Sequence, residues 1–168
     1  MPLKRTKTAG FTLLELIVVI AIIAILAAVA MPRLIDAQRD ARIAKAHAIH
    51  GSIRSAVALA RSRCELDLAG SSSPTTTNCA STPPKVNMDG TLVEIHNRHP
   101  AATAGGIDAA ASINPTTDGL SAETPSSGVR TFDIQGGTVP DCRVTYREAS
   151  VNGTTIVAPV ISLITTGC

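Results

Sequence analysis

Between Leu16 and Met31 the chain carries sixteen residues without a charge, and nothing in the run breaks a helix before Pro32. Counted from Phe11 the segment is twenty-one residues, roughly 31 Å as an α-helix and close to the hydrocarbon thickness of a bilayer. It can span a membrane, and the remainder of a 168-residue chain has room for one soluble domain. Two features distinguish the segment from a plain anchor. Glu15 places a carboxylate inside apolar sequence, at a cost of about 2.5–3.5 kcal/mol at mid-bilayer and less near an end, so it calls for a partner. Residues 1–10 form a short basic leader with Lys4, Arg5 and Lys7, and its small residue Gly10 precedes the apolar run. A secretory signal peptide places its small-residue site after that run, so cleavage at Gly10 would leave the apolar helix on the mature chain.

The basic leader, Gly10, the sequence Phe11-Thr12-Leu13-Leu14-Glu15-Leu16 and an aliphatic helix interrupted at Pro32 resemble the precursor of a type IV pilin or a related type II secretion pseudopilin. The resemblance covers about the first 35 residues. It implies a structural protein with no cofactor. A prepilin peptidase and N-methyltransferase would cut between Gly10 and Phe11 and methylate the new Phe11 amine. The chain would then wait in the inner membrane until an assembly platform builds it, with copies of itself, into an extracellular pilus filament. Glu15 would pair with the terminal amine of a neighbouring subunit. Independently, a buried carboxylate needs an opposite charge and hydrogen bonds, and cleavage creates a cation four residues before it. The amine of the same subunit and a snorkelling Glu15 are the alternatives. A secretion pseudopilin, or a minor pilin with an adhesive or DNA-uptake role, is the alternative to a pilus subunit.

Phe11, Phe132 and Tyr146 are the only aromatic residues, so the soluble domain lacks large core side chains and needs covalent staples. Cys64, Cys79, Cys142 and Cys168 are even in number and absent from the apolar run, which suggests two disulfides and an oxidising compartment. Three connectivities are open. The local pairs Cys64 with Cys79 and Cys142 with Cys168 close loops of about 15 and 26 residues, each worth roughly 3 kcal/mol. A zinc site is the rival, without a C-x₂-C pair to support it.

Removing the leader leaves twelve Lys and Arg against thirteen Asp and Glu. The distribution is uneven: residues 33–63 carry seven cations and two carboxylates, residues 64–168 five and ten. Either acidic heads meet basic helices of neighbouring subunits, or the helix simply has a solvated face. The near-neutral total and the scarcity of aromatics give no clear nucleic-acid-binding face.

The expected fold is α+β. Residues 11–31 form the hydrophobic half of a long helix that kinks near Pro32, where the carbonyl of Ala28 loses its helical donor. Residues 32–63 continue it as an amphipathic helix with Ile35, Ala46, Ile49, Ile53, Ala56, Val57 and Ala60 at three- and four-residue spacings. Residues 64–168 form a small antiparallel β head. Its expected strands are Thr91–His96, Val129–Ile134, Cys142–Ala149 and Thr155–Ile164. The last two are joined through Asn152-Gly153 as a type I′ hairpin with Val151 opposite Thr154, and Pro159 puts the final strand at an edge or a bulge. Residues 70–84 read as a Ser/Thr/Pro loop that can accept O-linked sugar, and 100–128 as a long variable Gly/Ala-rich loop suited to surface display, within which Ile107–Ile113 can form a short helical turn.

Other chemistry has little support. His47, His50, His96 and His99 fall in two H-x-x-H pairs with no carboxylate or cysteine fixed beside them, and Asp89, Asp118, Asp133 and Asp141 are too scattered for a calcium loop. Asn152-Gly153-Thr154 matches a glycosylation sequon but is better explained as a turn. Neither a G-x-S-x-G nor a phosphate-cradling glycine loop occurs.

Overall fold

The computed structural model describes residues 11–70, 78–122 and 126–168. The chain divides into two units, one ending at Arg39 and the other spanning Asp40–Cys168. Helix α1, Leu13–Leu68, is continuous through Pro32 and Gly51 and extends five residues past Arg63. It ends where Gly70 takes a left-handed φ of 74° and its N–H reaches the carbonyl of Asp67.

In the first unit every described residue is exposed. Fourteen large apolar side chains between Phe11 and Met31 are open, from Phe11 at 81% to Val19 at 44%. Fully burying each contributes about 1.5–3 kcal/mol, on the order of 20–40 kcal/mol together. That outweighs the few kcal/mol that the Glu15 carboxylate costs in lipid.

The second unit is organised on the later part of α1. Ala46, Ile53, Ala56, Ala60 and Cys64 are buried at helical spacing, with Ile49 and Val57 packed beside them. Ile35, expected in this stripe, lies in the first unit and is exposed. Three antiparallel sheets follow among the described residues. β1 (Lys85–Met88), β2 (Thr91–His96) and β3 (His99–Pro100) form one. β4 (Leu120–Ala122), β5 (Val129–Ile134), β6 (Arg143–Arg147) and β9 (Val160–Ile164) form the second in the order β4-β5-β6-β9, and β7 (Ser150–Asn152) pairs with β8 (Thr155–Val157) in the third.

Register explains which side chains meet the core. Phe132 pairs with Val144 and Val144 with Leu163, while Arg130 pairs with Tyr146 and Tyr146 with Ile161. These two rows share a sheet face because alternate residues point the same way. They pack in one apolar cluster with Ala46, Ile53 and Ile107, apart from Arg130. The two head aromatics, Phe132 and Tyr146, are both fully buried there. Polar groups are tied rather than excluded. The Tyr146 hydroxyl donates to the Pro100 carbonyl at 2.6 Å. Arg130 makes a bidentate pair with Asp108, Nε to Oδ1 at 3.1 Å and Nη2 to Oδ2 at 2.5 Å, with both side chains buried. Arg143 clasps Asp133 in the same way.

Three expectations are corrected. The stretch 100–128 is not a loose display loop, because Ala102, Ile107, Ile113 and Leu120 are buried. A π-helical turn, Ala104–Asp108, leads into the short α2, Ala109–Ala111. Gly106 makes this possible: a Cβ there would lie 2.2 Å from the Ala101 carbonyl oxygen. The turn delivers Ile107 to the core and Asp108 to Arg130. In the C-terminal hairpin Asn152 pairs with Thr155, not Val151 with Thr154, so the register moves by two residues. Gly153 has φ 63° while Thr154 is not left-handed, which excludes a type I′ turn. The expected long strands are also divided: pairing stops after Arg147 and between Val157 and Val160, at Ala158-Pro159, and β9 lies at the sheet edge.

Removing one partner of a buried ion pair strands the other, so Asp108→Ala lowers head stability by about 3–5 kcal/mol, whereas Asp108→Leu with Arg130→Met recovers most of the loss. Thermal unfolding of the three chains checks this. Burial, reinforced by the negative charge of Glu148, raises the pKa of Tyr146 well above its ordinary 10.0. A raised phenol favours the neutral folded state, so its contribution is present below pH 10 and is lost as pH climbs beyond it. Stability measured upward from pH 9 falls less steeply in Tyr146→Phe.

Candidate functional site

The start of α1 is built by its own side chains. The Glu15 N–H donates to Thr12 Oγ1 at 3.2 Å, and the Leu16 N–H to the Thr12 carbonyl at 3.3 Å. Thr12 is thus the N-cap, and Glu15 is the third helical residue, where a carboxylate complements the positive end of the helix dipole. Thr-x-x-Glu is the sequence of a capping box. This signal stands in the sequence itself, overshadowed by the apolar run that follows it.

Phe11 is 81% exposed immediately before this cap, and Glu15 is exposed with no ion-pair partner among the described residues. Cleavage between the two residues Gly10 and Phe11 concerns a bond whose first member, Gly10, lies outside the described residues. Pro32 sits within α1 and supplies no N–H to Ala28.

In the second unit two disulfides fasten the chain. Cys64, on α1, is bonded to Cys79, with Cα atoms 5.1 Å apart; Cys142 is bonded to Cys168 at 4.8 Å. Thr165-Thr166-Gly167 turns back as the second bond requires: the Cys168 N–H donates to the Thr165 carbonyl at 3.2 Å, and the Thr138 N–H to Gly167 at 2.9 Å. Arg42 Nε then donates to the Cys168 carbonyl, and Lys45 Nζ to the Gly119 carbonyl at 3.0 Å. Arg63 Nε lies 3.4 Å from Asp67, whose other oxygen accepts the Cys79 N–H. Three cations of the basic helix segment therefore serve their own head.

The histidines stand apart chemically. His47 is exposed, His96 Nδ1 lies 3.0 Å from Glu148, and His99 is buried with Nδ1 2.9 Å from the Asn97 carbonyl. No group of three or more His, Cys, Asp or Glu side chains gathers as a metal site among the described residues. Asp133 is engaged by Arg143, and Asp118 accepts the Asn114 N–H.

A long capped helix, apolar and exposed in its first unit, combined with a disulfide-fastened antiparallel head defines a pilin-like α+β protein. Residues 5–31 match the family described as the prokaryotic N-terminal methylation motif, which is consistent with a prepilin-type chain of the type IV pilin or pseudopilin kind. Comparison of the chain with curated proteins and with solved structures gives no match.

Thr12→Val removes the acceptor of the Glu15 N–H and costs about 1 kcal/mol of cap, so exchange of that amide in detergent rises roughly fivefold. Thr12→Ser preserves the slow exchange.

Proposed function

We propose that the chain is a subunit of a type IV pilus. It is made as a prepilin, cleaved between Gly10 and Phe11, methylated on the Phe11 amine and held in the inner membrane by the apolar helix. The assembly platform then extracts it into a filament of identical copies outside the cell. The observation that carries this reading is the wholly exposed apolar helix of the first unit, in a chain with the methylation motif. In lipid the helix is solvated on all sides, and in a filament the same surface is covered by its counterparts.

Glu15 is the assembly carboxylate in this scheme. Its carboxylate is exposed and makes no ion pair among the described residues, so it remains available for the amine of a neighbouring Phe11. Pro32 is the place where the helix yields on leaving the membrane. The role is structural rather than enzymatic.

The type II secretion pseudopilin is the second reading. The buried Ala102, Ile107, Ile113 and Leu120 remove display from stretch 100–128 as a reason to prefer a pilus. What still favours the pilus is the fastened C-terminal segment, with Cys142–Cys168 and Arg42 holding the last residue against the helix, which suits a shear-loaded surface.

Filaments sheared from expressing cells are expected to contain a chain that begins at methylated Phe11, as read by mass spectrometry. Glu15→Leu leaves cleavage intact. Stranding the amine costs about 3–5 kcal/mol, more than the roughly 1.4 kcal/mol of a tenfold change, so filament numbers fall more than about tenfold. Normal numbers of filaments in that variant contradict the pairing.

A further inference from the structure

Two adjoining cavities, of about 380 and 390 Å³, form a groove between α1 and the segment 154–161 and share Arg61, His99 and Ala158 as lining. Arg54 and Arg61 on α1 line it, are exposed and have no ion-pair partner among the described residues. Seven residues apart, they lie about 10 Å from each other along the helix axis. These are cations that the head itself does not use, in contrast to Arg42, Lys45 and Arg63.

Arg98 enters from the opposite side on a costly backbone. Asn97 and Arg98, with φ of 49° and 65°, are the two residues between the paired His96 and His99. A two-residue turn with both φ positive prefers Asn-Gly, and an arginine in the second place is unfavourable for the turn itself. Glu65 steadies the guanidinium at 3.2 Å, leaving its side chain 49% exposed at the groove.

His99 provides a polar floor. It is only 4% exposed. Because the Asn97 carbonyl can only accept, Nδ1 donates to it, and Nε2 has no partner among the described residues. Thr154 and Thr155 add hydroxyls, while Pro159 and Ile161 supply short apolar walls.

The geometry points to a binding groove for an acidic polysaccharide built of uronic acid units. Guanidinium groups match carboxylates bidentately. Nε2 of His99 accepts from a sugar hydroxyl, the threonines donate to or accept from others, and the apolar walls meet the C–H faces of the ring. Two contiguous cavities suit a chain rather than a single sugar. Nucleic acid fits less well: single strands are held by aromatic stacking, yet no aromatic residue lines the groove. Residues 64–168, with five cations against ten carboxylates, also give no broad phosphate-tracking field. This inference goes beyond filament assembly and does not depend on it.

The test uses the full chain in detergent, passed over immobilised polygalacturonate, neutral dextran, duplex DNA and the immobilised chain itself. The expected result is retention on polygalacturonate alone, released in about 1 M salt, where the screening length is about 3 Å. Arg54→Ala with Arg61→Ala weakens retention at least roughly tenfold through loss of charge-assisted contacts, while Arg39→Ala leaves it unchanged. Arg98→Gly weakens retention without lowering the melting temperature, which separates a binding role from a structural one. No retention on polygalacturonate, equal retention on dextran, or full retention by the double variant overturns the proposal. Preferential binding to DNA or to the immobilised chain, abolished by the double variant, overturns it in favour of that occupant.

Discussion

Apolar surface that its own chain does not cover is the constraint from which the rest follows. From Leu13 to Met31 the helix presents large aliphatic side chains on all sides, and no solvent exposure of that extent is stable in water. The backbone of such a helix satisfies its own hydrogen bonds, so lipid is an acceptable solvent, and so is a bundle of similar helices. Thr12 completes the arrangement at the N-terminus, where helical N–H donors lack acceptors, capping the first turn from within. A carboxylate at the third helical position is tolerable on the same grounds, since it sits at the positive end of the helix rather than in mid-span.

The head solves a different problem, that of building a core with two aromatics. It does so by arranging small side chains closely. Ala46, Ala56 and Ala60 on α1 allow close approach, and Gly106 lets a π-helical turn lie directly on the Ala101 backbone. What packing cannot supply is supplied by covalent and ionic ties: two disulfides and the bidentate pairs Arg130–Asp108 and Arg143–Asp133. The last residue is drawn in by both Cys142 and Arg42.

Much of the fold was legible because it rests on period and covalency. The apolar run, the stripe from Ala46 to Cys64 and strand Val129–Ile134 are all patterns that read directly as elements. What escaped depends on contacts distant in sequence. Nothing local in Lys85–Met88 announces a strand until Thr91–His96 lies beside it. The run Ala101–Ile113 looks like loop by composition apart from a short helical turn, and becomes core only because Asp108 finds Arg130, twenty-two residues later, and Gly106 finds Ala101. The hairpin register slipped by two because Asn-Gly is a strong local turn signal, overruled here by continuity with the pairing of β6 and β9, which keeps the register seen in β7 and β8. Similarly, the basic segment of α1 reads as a solvated or intersubunit face until Arg42 and Lys45 are seen to reach carbonyls more than seventy residues away.

The central claim is that the exposed helix exchanges lipid for copies of itself. Cross-linking through a single cysteine introduced by Ile20→Cys, with the native cysteines left oxidised, tests it in one gel. Sheared filaments are expected to give a chain-to-chain dimer through residue 20, which is shielded there from lipid-soluble thiol reagents. Monomer alone, with the thiol still reactive toward those reagents in cells that make filaments, contradicts the account.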